Sequence, residues 1–444
     1  MGGGFHLPGG ENLATEVAAP ATPQRGFLSR ALTLGPGLVF VLDSIGPVDL
    51  VTGSMAGAKY GFSLLWLLVA ALAARFLIVD ATGRYVMVTG ESLLTGFGRI
   101  SKWLAVVWFV VTVLTRHLSA VTKIVVLGGA AHLLLPLPTR HSIAIWGILS
   151  WMAAFALIYW GRYRLFEKLS KPIAMTMLSC LAVVAILSKP DPASLIKGAL
   201  TPVLPTEPGL HSPALVVMAV LAAATASLSN LKYSAYVHEK GWRSLSFLRT
   251  QRMDLLVSMG VMFCILATIQ IAAAGALQPR GIEVGKLEDL IPIFADLLGY
   301  GGRILLGVAL WSIVFTSALG ETGHGIMISD VYYRFIRRSP VVGELNQTAG
   351  EMPAYRWMVL YVFVSPLYAL FTGWTPVGLV LLKSASTLLM LPIVVLAVLR
   401  LTADRKIMGV HANGWFTNIV LVLTTVAAAY LGCQGAIELL GSGS

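Results

Sequence analysis

Charged residues are scarce in this chain of 444 residues: Asp, Glu, Lys and Arg make up 12% of it, while 57% of the residues are hydrophobic. An average soluble protein has ~25% charged residues. A soluble fold of this length cannot bury so much apolar surface, whereas a protein in a bilayer exposes it to lipid. The composition therefore excludes a soluble enzyme and indicates a polytopic membrane protein.

Motifs of reactive sites are lacking too. The sequence contains no HExxH pair, no phosphate-binding glycine loop with its Lys and no GxSxG, so enzymatic activity has no support. Cysteine is rare: Cys180, Cys264 and Cys433 lie in separate apolar segments without a CxxC pair. We interpret them as packing residues, and we expect no cofactor.

The formal net charge of +11 does not indicate a nucleic-acid partner. The basic residues form short clusters between long apolar runs, which is the pattern of loops held on the cytoplasmic side of a membrane. The first 30 residues are rich in Gly, Pro and Ala and lack the order of a secretory signal. We expect them to form a disordered cytoplasmic tail.

Apolar stretches near the ~20 residues that a bilayer requires predict eleven membrane helices. They centre on residues 34–57, 62–82, 103–135, 141–161, 170–188, 212–237, 253–277, 300–329, 357–373, 375–399 and 414–435. With a cytoplasmic N-terminus, 20 Lys and Arg fall in inside segments, 6 in outside segments and 6 within helices. The bias supports this orientation, in an inner or plasma membrane, and places the C-terminus outside.

The first predicted helix contains a break between two carboxylates. Gly46 and Pro47 weaken the helix, and Asp43 and Asp49 flank them. On an unbroken helix the two acids would stand ~240° apart, but unwinding turns both toward one cavity. A broken helix in mid-membrane usually lines a site. The alternative is a proline kink whose acids pair with structural basic residues.

The sixth predicted helix has a polar interruption, Thr225-Ala226-Ser227-Leu228-Ser229-Asn230. Its hydroxyls and amide can replace backbone hydrogen bonds or offer oxygens to a hard cation. Helices one and six occupy equivalent places in two five-helix repeats, where inverted-repeat transporters bind their substrate. Ordinary helix packing by Ser and Thr is the alternative.

Three runs resemble a known family. They are LGPGLVFVLDSIGPVDLVTGSMAGAKYGFSLLW in the first helix, LLGYGGRILLGVALWSIVFTSALG in the eighth, and VGLVLLKSASTLLMLPIVVLAVLRLTADRKIMG in the tenth. They are similar to the NRAMP (natural resistance-associated macrophage protein) divalent-metal transporters, over residues 30 to 435. The resemblance implies an all-α membrane protein with a LeuT-like inverted repeat of five plus five transmembrane helices and one additional helix. The expected parts are residues 31–200 and 201–406 for the repeats and 407–444 for the eleventh helix.

The family's metal-binding residues are not all present. Against Asp-Pro-Gly-Asn this chain has Gly46-Pro47-Val48-Asp49, and against Met-Pro-His-Asn it has Ser227-Leu228-Ser229-Asn230. The loss of the thioether favours a harder ion, Mg²⁺ or Mn²⁺, with Fe²⁺ still open. The resemblance implies Asp49 as the charged ligand. Oxygens are expected from Ser227, Asn230, Ser384 and the backbone near Gly46 and Ala224, while Asp43 would hold a second charge or a coupling proton.

Basic residues within the predicted spans are unfavourable for a cation that passes close to them. Arg116 and Lys123 are seven residues apart on one face of the third helix, and Lys232 and Lys383 are close in sequence to the expected site. An alternative pairs these four bases with Asp43, Asp80, Asp254 or Glu321. Glu321 and His324 near the end of helix eight form a candidate proton relay.

The sequence thus favours a secondary transporter that moves a divalent metal ion by alternating access, with H⁺ open as a coupling ion. Two alternatives remain. The first is a small anionic or zwitterionic organic solute held by helix ends and by Arg116, Lys123 or Lys232. The second is a non-transporting sensor that kept the fold.

Overall fold

The computed structural model describes residues 36–91, 93–157, 185–225, 229–242, 244–319 and 353–441, together with residues 179, 183 and 332. Within these ranges the chain forms α-helices and short 3₁₀ turns, with no β-strand. The helices used below are α1 (Pro36–Ser44), α2 (Pro47–Tyr60), α3 (Leu65–Thr89), α4 (Leu93–Ile100), α5 (Lys102–Leu134), α6 (Ser142–Leu157), α7 (Pro192–Leu200), α8 (Pro213–Thr225), α9 (Ser229–Glu239), α10 (Leu248–Ala276), α11 (Ile291–Leu298), α12 (Tyr300–Leu319), α13 (Pro353–Val364), α14 (Pro376–Thr402), α15 (Arg405–Met408) and α16 (Trp415–Gly441).

The predicted break in the first membrane segment is confirmed. Helix α1 ends at Ser44, Ile45 and Gly46 are not helical, and α2 begins at Pro47. Proline fits this first helical position because its missing N–H has no partner within a helix there. Gly46 has a φ of −150°, an extended conformation open to any residue. The reason for glycine is space, since a Cβ atom at Gly46 would lie 3.1 Å from Ser317 Oγ.

A side chain from α10 caps the N-terminus of α1. Asp254 Oδ2 on α10 accepts a hydrogen bond of 2.6 Å from the backbone N–H of Gly37. A carboxylate is favourable there because the first N–H groups of a helix lack intrahelical partners. One of the acids expected as a partner for the intramembrane bases therefore holds α1 against α10.

Within the described chain, six stretches are long and apolar enough to cross a bilayer: 65–89, 106–134, 213–234, 245–280, 376–402 and 415–441. The stretch 213–234 includes residues 226–228, which the structure does not describe. The six stretches coincide with six of the eleven predicted spans. The predicted segment 170–188 and the end of the segment 300–329 fall largely outside the described residues, so the number eleven and the boundaries of the repeats stay predictions.

The interior forms by close approach of helices around α2. Helix α2 packs against α8 and α10, α3 against α9, α5 against α12, and α14 against α2, α5 and α8. Gly53 and Gly57 face α10 closely, since a Cβ atom at Gly57 would lie 2.9 Å from Ala273 Cβ. Small residues four apart allow such contact in a membrane, where van der Waals packing holds helices together. The gap between α1 and α2 thus lies at the centre of the bundle.

Candidate functional site: a basic pocket at the helix break

Asp49 caps the N-terminus of α2 at the helix break. Its Oδ2 accepts a hydrogen bond of 2.6 Å from the N–H of Gly46 at the start of α2. Its other oxygen, Oδ1, is buried and accepts no hydrogen bond within the described residues. The side chain is only 3% exposed. One carboxylate oxygen is therefore left to interact with whatever enters the adjoining cavity.

We call that cavity the central pocket, and its volume is about 70 Å³. Five parts of the fold contribute to it: the break with the start of α2, α5, the α8–α9 region, α12 and α14. The lining residues are Ser44, Gly46, Pro47, Val48, Asp49, Arg116, Ser119, Thr122, Lys123, Ala222, Ala223, Ser229, Lys232, Ser317, Lys383 and Thr387.

Four of these residues are basic, against one acid. Arg116 and Lys123 from α5, Lys232 from α9 and Lys383 from α14 converge on the pocket together with Asp49. Lys232 is only 1% exposed. Lys123 Nζ donates to the backbone oxygen of Ser317 at 2.7 Å, and Lys383 Nζ donates to Thr387 Oγ1 at 2.8 Å. The lining therefore carries an excess of positive charge.

Two of the four acids that could pair with these bases have other partners. Asp80 forms ion pairs with Arg84 at 3.3 Å and Arg252 at 3.0 Å. Asp254 caps α1 as described above. The side chains of Asp43 and Glu321 lie outside the described part of the chain, and so do Ser227 and His324.

Several expected ligand groups lie elsewhere in the structure. Asn230 Nδ2 donates to the backbone oxygen of Thr225 at 2.8 Å, and its Oδ1 accepts from Arg75 Nε at 3.0 Å. Ser384 Oγ donates to the backbone oxygen of Val380, one helical turn earlier, at 2.8 Å. The oxygen of Ala224 accepts from Arg75 Nη1 at 3.4 Å. These three residues do not line the central pocket. Their polar groups bind other groups of the protein.

Arg75 was not among the residues singled out from the sequence. It is one of the six basic residues within the predicted spans, and it stands in the apolar run LLVAALAARFLIVD. An Arg in such a run is itself a signal, because intramembrane charges are rare and mark functional sites. Ser119, Thr122, Ser317 and Thr387 also line the pocket, but isolated hydroxyl residues give no such signal.

Comparison with known proteins decides the family. The model of the family Nramp, described as natural resistance-associated macrophage protein-like, matches residues 37–438. The chain belongs to the Nramp family. The resemblance seen in the sequence is thus confirmed, and members of the Nramp family are transporters rather than enzymes.

Curated Nramp relatives are distant but extend over almost the whole chain. The "Divalent metal cation transporter MntH" of Aeromonas hydrophila is 24% identical over 419 residues, covering 90% of this chain and 93% of the relative. The protein of the same name from Bacillus subtilis is 21% identical over 410 residues, covering 91% and 92%.

Solved structures show the same fold. The Eremococcus coleocola manganese transporter, in complex with an aromatic bis-isothiourea compound, superposes with a TM-score of 0.76 at 16% identity, covering 96% of this chain and 91% of that one. MhsT in complex with L-phenylalanine superposes with a TM-score of 0.60 at 14% identity, covering 92% and 98%. These likenesses confirm an all-α membrane transporter with the LeuT-like fold.

Proposed function

We propose that this Nramp-family chain is a secondary transporter that moves a divalent metal ion, Mn²⁺ or Mg²⁺, through the central pocket by alternating access. The observation that carries the proposal is Asp49 at the helix break, which lines the pocket and whose buried Oδ1 accepts no hydrogen bond within the described residues. Carboxylate oxygens are the ligands that hard divalent ions prefer. The curated relatives that match most of this chain are named divalent metal cation transporters.

The basic side chains of the lining are a cost for a divalent cation. At an effective dielectric of 20, one ammonium ~10 Å from a divalent ion repels it by ~3 kcal/mol unless a carboxylate neutralises it. Among the described residues no three His, Cys, Asp or Glu side chains come together as a metal-binding group.

A small anionic or zwitterionic organic solute is the second candidate, and the four basic residues of the pocket lining favour it. Lys232 and Arg116 can donate to a substrate carboxylate. Asp49 Oδ1 can accept a hydrogen bond from the ammonium group of a zwitterion. MhsT, which has the same fold, was solved in complex with L-phenylalanine.

For the metal ion, Asp49 is the charged ligand, and Mn²⁺ or Mg²⁺ is preferred to Fe²⁺ because the remaining groups are oxygens. A coupling proton would use Asp43, or Glu321 and His324.

Uptake into vesicles separates the two candidates. The full chain is reconstituted into liposomes and tested with radiolabelled acetate, glycine and Mn²⁺ under imposed substrate gradients. We expect saturable Mn²⁺ uptake and a decrease of at least tenfold in Asp49→Ala, because the variant removes the charged ligand.

Glu288→Ala serves as the matched control, because Glu288 is exposed and does not line the pocket. It should leave uptake unchanged. Uptake of acetate or glycine that Lys232→Gln reduces, without uptake of Mn²⁺, would overturn the metal proposal in favour of the organic solute. No flux of any of the three probes would favour the sensor hypothesis.

A further inference from the structure

Arg75 lies beside the break in the first membrane segment. Its side chain is fully buried, and the guanidinium lies 4.7 Å from the centre of the Phe40 ring on α1. Nη2 donates to Ser44 Oγ at 2.8 Å, at the last residue of α1. Arg75 therefore connects α3 to the end of the first half-helix.

The same guanidinium also contacts helices α8, α9 and α10. Nε donates to Asn230 Oδ1 at 3.0 Å on α9, and Nη1 approaches the backbone oxygen of Ala224 at 3.4 Å on α8. Nη1 also lies 2.9 Å from Met262 Sδ on α10. One cation thus contacts a hydroxyl, an amide oxygen, a backbone oxygen and a thioether from four helices.

This set of atoms is one that a metal ion can use. Hydroxyl, amide and backbone oxygens bind hard divalent ions, and a thioether binds softer transition metals. Asn230 and the backbone near Ala224 are the oxygens that the sequence suggested as metal ligands. In the structure they bind a guanidinium, which stays protonated at every pH that a protein tolerates.

We propose that Arg75 is a specificity-determining residue: a tethered cation that occupies the oxygen and sulfur donors of α1, α8, α9 and α10 and so excludes metal ions from them. Arg75 also interacts electrostatically with Asp49, so its charge acts on the central pocket as well. The inference does not require that the central pocket carries a metal ion. It requires only that the donors around Arg75 remain closed to metals while the guanidinium is present.

A binding titration with the metal ion alone tests this. Purified full-length protein is titrated with Mn²⁺ and with Cd²⁺ by calorimetry, in the wild type, Arg75→Gln and Arg75→Lys. We expect at least tenfold tighter binding of both ions to Arg75→Gln than to wild type, because the charge is removed and the donors are released. Arg75→Lys keeps the charge and should resemble wild type.

Thermal melting and gel filtration show whether Arg75→Gln is folded. A folded Arg75→Gln that binds Mn²⁺ and Cd²⁺ no better than wild type would overturn the proposal. Asn230→Ala gives a second measurement that needs no Arg75 variant. Saturable Mn²⁺ or Cd²⁺ binding to wild type that Asn230→Ala weakens tenfold would show that the donors are open with Arg75 present, and would also overturn it. Mn²⁺ uptake and its loss in Asp49→Ala are measured separately, so failure of the transport proposal is distinguishable.

Discussion

Single buried charges determine much of the chemistry of this protein. Asp80 on α3 illustrates this, because it forms ion pairs with two arginines. Its side chain and that of Arg84 are 7% and 8% exposed, while Arg252 from α10 is 47% exposed. Arg84 also donates to Asn413 Oδ1, which connects the cluster to the chain between α15 and α16. Asp80 neutralises the positive charge of Arg84, which is buried with it.

Replacing Asp80 by Asn should therefore destabilise the protein strongly. Removing one partner of a buried ion pair leaves an uncompensated charge and costs about 3–5 kcal/mol. Asp404→Asn is the control, because Asp404 pairs with Arg400 on an exposed surface, where ion pairs contribute little. Unfolding of both variants in detergent should show a large loss of stability for Asp80→Asn only. Equal stabilities would contradict this account of the cluster.

At the scale of helices, the contact between α2 and α10 depends on the absence of side chains. Gly57 meets α10 so closely that a Cβ atom would overlap the backbone oxygen of Gln270, and a Cβ atom at Gly53 would lie 2.9 Å from Ile269 Cγ2. Since α2 also carries Asp49, this contact fixes the position of the pocket's carboxylate.

Gly57→Ala should separate the two helices and reduce stability by about 1–3 kcal/mol, the usual cost of an overpacked core. Gly260→Ala on α10 is the matched control, because Gly260 is exposed and has no atom within 4 Å of the added Cβ. That variant should be stabilised by up to about 1 kcal/mol, since glycine is a poor helix former. Melting temperatures in detergent compare the two. A Gly57→Ala protein as stable as Gly260→Ala would disprove the close contact.

The sequence predicted the helices better than it predicted which way their side chains point. The break at Gly46 and Pro47 follows from local chemistry, and the alignment of Arg116 with Lys123 follows from the helical repeat. Asn230 was expected as a ligand in the site, but Asn230 binds Arg75, while Lys232, two residues later, lines the pocket. The rotation of a helix beyond an interruption depends on tertiary packing, which the residues of that helix alone do not reveal.

The same limit explains why the role of Arg75 was missed. Its hydrogen-bonding partners Ala224, Asn230 and Met262 lie 149 to 187 residues away in the chain. No spacing rule connects groups so far apart. Ser384 was expected in the site, but its hydroxyl binds the preceding turn of α14. Lys383 and Thr387 on the same helix line the pocket instead.

For the whole molecule, the distribution of Lys and Arg predicts which end of the bundle faces the cytoplasm. Single cysteines at Thr206 and Ser246 test this, because both positions are exposed and flank the sixth predicted span on opposite sides. Cys180, Cys264 and Cys433 are first replaced by Ser. A membrane-impermeant maleimide should label Thr206→Cys in intact cells and Ser246→Cys only after permeabilisation. The reverse pattern would invert the topology.

The cap that Asp254 places on α1 has a consequence for any movement of this half-helix. A swing of α1 away from α10 breaks the bond to Gly37 and leaves a carboxylate and an amide without their hydrogen bond, a costly state unless water replaces it. Displacement of α1 therefore requires hydration of Asp254.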